Sequence, residues 1–153
     1  MADLSPEEQQ KTDERFMKEA LNEARKAFDA DEVPIGAVIV ANNRIIARGH
    51  NLTERLNDVT AHAEMQAFTA AANYIGGKYL ENCTLYVTVE LCPMCAGAAY
   101  WTHISRIVWG TGDEKRGYTR LNSPVLHPKT VVQAGVCQEE CQELMQRFFR
   151  AKR

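Results

Sequence analysis

The sequence predicts an α/β sandwich whose sheet is partly parallel. Five short apolar runs, rich in Val, Ile and aromatic residues, read as strands. Four longer segments carry apolar residues at helical spacing. After an opening hairpin the two kinds of segment alternate, and that alternation lays neighbouring strands parallel. A chain of 153 residues without repeats or an internal linker suits one domain with one real core, so residues 1–153 are expected to form a single unit.

The elements follow in order. Ser5-Pro6-Glu7-Glu8 is a helix start: Ser5 caps, Pro6 suits the first turn, and Glu8 completes a capping box. Phe16, Met17, Ala20, Leu21, Ala24, Ala27 and Phe28 then recur at helical spacing until Asp29 to Asp31 interrupts them. GAVIV (Gly36 to Val40) is a buried strand, Asn42-Asn43 a turn, and RIIARG (Arg44 to Gly49) the returning strand. A loop with Asn51 and Asp58 leads to TAHAEMQAFTAAANYI, a second helix with Thr60 as cap, ending at Gly76-Gly77. CTLYVTVE (Cys83 to Glu90) is a strand, and a third helix runs from about Pro93 to Trp101. RIVWG (Arg106 to Gly110) is another strand, Thr111 to Lys129 mostly loop, and TVVQAGV (Thr130 to Val136) a last strand. CQEECQELMQRFFRAKR closes the chain as an amphipathic helix.

Composition narrows the function classes. The formal net charge of −2 argues against a surface coated by nucleic acid, but it allows a local basic patch. Basic residues do gather late: Lys115, Arg116 and Arg120, then Arg147, Arg150, Lys152 and Arg153. The plain alternative for both groups is a solvated face and a frayed tail. The first ten residues lack the basic and apolar segments of a secretory signal, and no apolar run is long enough to cross a bilayer. The expectation is a cytoplasmic protein with no membrane partner. Five cysteines in such a chain argue for metal ligation or catalysis rather than a disulfide framework.

Chemistry gathers in two places. His62-Ala63-Glu64 stands near the start of the second helix, and Cys92 and Cys95 near the start of the third. In an α/β layer both helix N-termini can open on one end of the sheet, where ligands favour the carboxyl ends of strands. A helix N-terminus offers unpaired N–H groups and partial positive charge, which favour the metal-binding thiolate. Residues three apart share a helix face, so both sulfurs can reach one ion. With His62 the donors number three, which leaves zinc an open position for water, the pattern of a catalytic site. Glu64 could then accept a proton from that water, provided the metal sits off the end of the first turn. A thioredoxin-like redox pair is the alternative for Cys92 and Cys95, but it gives His62 and Glu64 no role. Cys83 reads as core. Cys137 and Cys141, one helical turn apart, could bind metal but have no nearby partner in the sequence.

His62-Ala63-Glu64 and Cys92-Pro93-Met94-Cys95, with EVPIGAVIV, NDVTAHAEMQA, CTLYVTVE, RIVWG, GDEKRG, LHP and LMQRFFRAKR, carry a resemblance. The chain resembles the zinc-dependent cytidine deaminase superfamily from about Phe16 to its C-terminus, and within it the bacterial tRNA-specific adenosine deaminases. The resemblance implies a three-layer α/β/α, cytidine deaminase-like sandwich around a central mixed sheet of about five strands. It implies one zinc per subunit on His62, Cys92 and Cys95, with Glu64 as proton shuttle. It matches Asn51 to a substrate contact and sets the Ala61 N–H and the Leu91 carbonyl against the base. It matches Asp113 and Lys115 to a loop that touches nucleic acid, and Phe148, Phe149 and Arg150 to a helix packed near the anticodon. A homodimer is implied as well. One departure is plain: the family usually has Pro where this chain has Leu91, which supplies a carbonyl but not the fixed φ. Pro93 restores some rigidity. YTRLNSPV (Tyr118 to Val125) has no match to the usual loop.

The activity so implied is hydrolysis of adenosine to inosine at the wobble position of a tRNA anticodon loop, with the base splayed from its stack. The sequence leaves two rivals: a deaminase of a free base or nucleotide such as guanine or cytosine, and an inactive zinc-stabilised scaffold.

Overall fold

A computed structural model describes residues 4–152; Arg153 of the terminal basic group lies outside the described residues. The first helix, α1 (Pro6–Asp29), starts on the capping box read from the sequence. Ser5 Oγ accepts the Glu8 N–H at 3.1 Å, and Glu8 Oε1 accepts the Ser5 N–H at 3.1 Å. Two orphan donors of the first turn are thereby satisfied. The hairpin of β1 (Gly36–Ala41) and β2 (Arg44–His50) turns at Asn42 and Asn43, whose φ values are 51° and 62°. Asparagine tolerates this left-handed region, and the turn twists with its strands.

Next come α2 (Ala63–Ile75), β3 (Cys83–Val89), α3 (Pro93–Thr102), β4 (Arg106–Thr111), β5 (Val131–Gln133) and α4 (Gln138–Ala151). One mixed sheet runs in the order β2-β1-β3-β4-β5. β1 is antiparallel to β2 and β3, while β3, β4 and β5 are parallel. It follows that β2 and β3 point the same way, each toward the helix that succeeds it.

Alternation along the strands builds three layers. Ala37, Ile39, Leu85, Val87, Ile107 and Trp109 pack against α2 and α3. Val38, Val40, Tyr86 and Val108 pack on the opposite face, against α1 and the Cys141 and Leu144 side chains of α4. Period-two burial of this kind is what a sheet covered on both faces requires.

Two expectations need correction. The seven-residue run Thr130 to Val136 yields a strand of only three residues, Val131–Gln133. Gly135 takes a φ of 85°, and its N–H together with that of Val136 folds back onto the Trp109 carbonyl, which ends the ladder. Thr60 does not cap α2; His62 occupies that position. Thr60 instead donates its N–H and its hydroxyl to Asp58 Oδ1, each at 2.8 Å, closing a turn that satisfies it locally. Within the expected Thr111 to Lys129 loop, Tyr118–Arg120 forms a short 3₁₀ turn. No helix among the described residues is long and apolar enough to cross a membrane.

Candidate active site

Two helix starts meet at the carboxyl ends of β2 and β3. At α2 the N-cap is His62, with extended backbone (φ −72°, ψ 155°); at α3 it is Cys92, also extended (φ −73°, ψ 167°). Neither side chain caps its own helix. Both turn to each other instead. His62 Nδ1 lies 3.6 Å from Cys92 Sγ and 3.5 Å from Cys95 Sγ. The three donor atoms all lie within 4.8 Å of one another, the only such group of three or more among the described residues. Cys92 stands before the first turn of α3 and Cys95 inside it, so one helix delivers both sulfurs. Gly49 holds the other helix close: a Cβ there would lie 2.5 Å from the Ala63 carbonyl oxygen, so a side chain would push the start of α2 off the sheet.

The N-cap position of His62 resolves the spacing problem between His62 and Glu64. On a regular helix they would diverge, but His62 is not helical, and the two side chains are free to converge off the helix end. Glu64 is 3% exposed, and its Oε1 is the one buried side-chain polar atom among the described residues with no hydrogen-bond partner. A buried carboxyl left unpaired is costly, and it marks a group kept for something other than stability.

Protonation is shared across the cluster. Burial pushes the Glu64 carboxyl up to about 7. The Cys95 hydrogen bond, helped by His62, holds the Cys92 thiol down at about 4. The same bond, with burial, keeps Cys95 protonated well above the usual thiol range. His62 is raised, chiefly by its hydrogen bond to Cys92. One thiolate, one thiol and a basic imidazole are donors poised to exchange protons for a cation. Cys83 is buried in the core, and Cys141 packs at Gly110, where an added Cβ would come 2.3 Å from its sulfur.

The remaining sequence-predicted residues fall into four groups. Asn51, directly after β2, is buried; its N–H donates to the Ile35 carbonyl and its Oδ1 accepts the Thr53 N–H, each at 3.1 Å. Ala61 is buried, but its N–H already donates to the Asp58 carbonyl at 3.1 Å, and the Leu91 carbonyl already accepts the Tyr118 N–H at 3.0 Å. Asp113 and Lys115 sit on the loop after β4, where Asp113 Oδ1 accepts the Lys115 and Arg116 N–H groups. Phe149 is not brought to the cluster: it rides on α4, which covers the other face of the sheet, and there Phe148 packs edge-on to Phe28.

Sequence reasoning passed over two carboxylates. Glu32 is buried and accepts the Glu54 and Arg55 N–H groups at 3.0 and 2.8 Å, holding the loop that leads into His62. Glu90, at the end of the apolar run VTVE, is buried beside the site. The available signal was an acidic residue inside an apolar stretch, which must find partners when the stretch is buried.

The MafB19-like deaminase profile matches residues 11–153 of this chain. The tRNA-specific adenosine deaminase of Bacillus subtilis (strain 168) is 44% identical over 146 residues, spanning 92% of this chain and 91% of that protein. The chloroplastic tRNA(adenine(34)) deaminase of Arabidopsis thaliana is 41% identical over 95% of this chain, which spans only 13% of that protein's length. A solved structure from work on A-to-I editing by tRNA:A34 deaminases superposes with a TM-score of 0.80 at 42% identity, covering 85% of this chain and 98% of that one. The guanine deaminase of Bacillus subtilis is 40% identical with a TM-score of 0.62, over 65% of this chain and 64% of that one.

Proposed function

This chain belongs to the MafB19-like deaminase family, and we propose that it hydrolyses adenosine to inosine at the wobble position of a tRNA anticodon. The observation that carries the chemistry is the unpartnered, buried Glu64 Oε1 beside the His62, Cys92 and Cys95 donors. Names of relatives aligned over nearly the whole chain, tRNA-specific adenosine deaminases, carry the substrate. Residues 1–153 are read as one deaminase domain.

The donor set fits zinc. Tetrahedral zinc with ordinary bond lengths separates its sulfur and nitrogen ligands by about 3.6 Å. The two S–N distances here are 3.6 and 3.5 Å. His62, Cys92 and Cys95 would hold one ion per subunit and leave one position open. Zinc held there would supply Lewis acidity, making water at the site acidic near pH 7.

The rest is done by the chain. Glu64, with its carboxyl poised near 7 by burial, takes the proton of the attacking water and passes it to a ring nitrogen of the adenine. Water adds at C6, Glu64 carries the proton of the new C6 hydroxyl to the exocyclic amine, the C6–N bond breaks to release ammonia, and inosine remains. Asn51 and the Leu91 carbonyl orient the base, the carbonyl through its second lone pair. Lys115, on the loop after β4, meets the phosphate backbone, and Asp113 shapes that loop. Ala61, whose N–H is already engaged, is proposed to touch the base through its side chain, and Phe149, exposed on α4, to meet the RNA away from the reacting base. The cytoplasm is the proposed compartment. Tyr74, Tyr100 and Trp101 are exposed on α2 and α3, Trp101 at 73%, and that apolar face suits a homodimer.

The test is single-turnover deamination by zinc-loaded protein of an anticodon stem-loop with adenosine at the wobble position, beside guanine, cytosine and free nucleosides. Inosine in the stem-loop alone is the expected result. Turnover of guanine alone would move the protein to the free-base reading that the guanine deaminase likeness favours. Binding of the stem-loop should weaken steeply with salt, whereas a neutral base should be indifferent to it.

A further inference from the structure

The carboxylate of Glu90 has no lysine or arginine partner among the described residues, yet it is 7% exposed. Main-chain and hydroxyl donors neutralise it. Oε1 accepts the Asp113 N–H at 3.0 Å, and Oε2 accepts the Thr119 N–H at 3.0 Å and the Thr119 hydroxyl at 2.6 Å. Between these anchors the loop closes on itself, with the Gly117 N–H donating to the Asp113 carbonyl at 2.8 Å. Gly117 lies flat against the carboxylate: a Cβ there would come 2.2 Å from Oε2. The next residues are wired just as directly. Leu91 accepts the Tyr118 N–H at 3.0 Å, and Cys92 follows at once.

We propose that Glu90 is a positioning residue: it fixes the loop of Gly112 to Thr119, which carries the basic pair Lys115 and Arg116, to the edge of the site, and so sets the distance between that pair, facing the RNA phosphates, and the reacting base. The proposal rests on the tRNA reading above. A loop that binds a polyanion without such an anchor would spend binding energy on ordering itself. Here the ordering is built in by one side chain two residues before Cys92. Because Glu90 acts through the loop, its loss should show in the capture of RNA and not in the chemistry of a bound base.

The test compares Glu90→Gln and Thr119→Val with wild type, all zinc-loaded. Glutamine keeps the size of the side chain but presents an amide donor to one of the anchors, setting N–H against N–H. Thr119→Val removes one hydroxyl donor and changes none of the proposed metal ligands. For the stem-loop, KM should rise about tenfold in Glu90→Gln and about threefold in Thr119→Val, with kcat within about twofold. Zinc content should stay at one per chain. Trypsin should cut after Lys115, Arg116 or Arg120 about tenfold faster in Glu90→Gln. A further pairing probes the packing: Gly117→Ala should damage wild type, and Glu90→Asp should relieve that damage by withdrawing the carboxylate.

Wild-type KM and wild-type tryptic rates in Glu90→Gln would overturn the proposal. So would a fall in kcat that tracks loss of zinc, since the effect would then run through the metal ligands. If wild type fails to deaminate the stem-loop, the tRNA reading is what fails, and the tryptic and Gly117 arms alone decide whether Glu90 anchors the loop.

Discussion

The two faces of the sheet bury charge in opposite ways. On the α1 face, Asp13 receives two hydrogen bonds from Arg106, at 2.6 and 2.7 Å, and a third from the Tyr86 hydroxyl at 2.8 Å. On the α2 and α3 face, Glu64 is equally buried and one of its oxygens has nothing. Burial alone does not distinguish a working group from a structural one. The completeness of its partners does. A satisfied network ties α1 to β3 and β4, whereas the Glu64 carboxyl keeps one oxygen unpaired beside the His62, Cys92 and Cys95 cluster, as the proposed proton shuttle would.

The largest contrast should come from substituting each carboxyl. Glu64→Gln is expected to lower the single-turnover rate on the stem-loop by roughly a thousandfold. Zinc should remain bound and the melting temperature should not fall. Retained zinc with an undiminished rate would remove Glu64 from the mechanism and erase the distinction between the faces. Asp13→Ala should do the reverse. It strands the Arg106 guanidinium in a half-buried position, and urea unfolding should report a loss of about 3 kcal/mol. At a temperature where the variant stays folded, its turnover should be close to wild type.

A smaller effect separates the faces by pH. Burial raises the folded-state Glu64 carboxyl to about 7 from an ordinary 4.5. Between those values the unfolded chain has released the proton and the folded chain has not, so stability falls as pH rises. Metal-free wild type should therefore match metal-free Glu64→Gln near pH 4 and lose ground to it by pH 7 to 8, measured by urea unfolding. A constant gap across that range would mean that the burial of Glu64 is relieved in solution. The smallest effect is expected at the rim. Lys115→Ala should reduce the slope of log affinity against log salt by about one for the stem-loop, with kcat unchanged. An unaltered slope would make Lys115 plain solvated surface.

Much of this was legible beforehand, and the reasons are local. The capping box at Ser5 and Glu8, the Asn42-Asn43 turn and the alternating strands involve neighbours in sequence, where spacing dictates contact. The donor triad was legible because each helix start brings its own ligands to the same end of the sheet. What escaped is set by residues far apart. Glu90 reaches Asp113 and Thr119 across 23 and 29 positions, and Asp13 reaches Arg106 across 93. Asp13 stands three before Phe16 and four before Met17, so its place on the buried stripe of α1 was visible, but its partner was not. The last strand was overread because a β-branched run says nothing about the backward turn at Gly135. His62 displaced Thr60 as the N-cap because a short-range bond to Asp58 was open to the threonine.

The two helix starts also bear on how the protein matures. His62 and Cys92 stand where a serine or aspartate would ordinarily tie down the first turn, and both decline that duty. Any ion they hold would do it for them, fastening two helices with one knot. Freshly made chain awaiting metal should therefore carry a formed sheet and a formed α1, with the opening turns of α2 and α3 the first amides to trade hydrogen for deuterium. If zinc is the ion, as proposed, a cell short of it would hold a pool of nearly finished protein, competent to be completed and most open to proteases at the two helix starts.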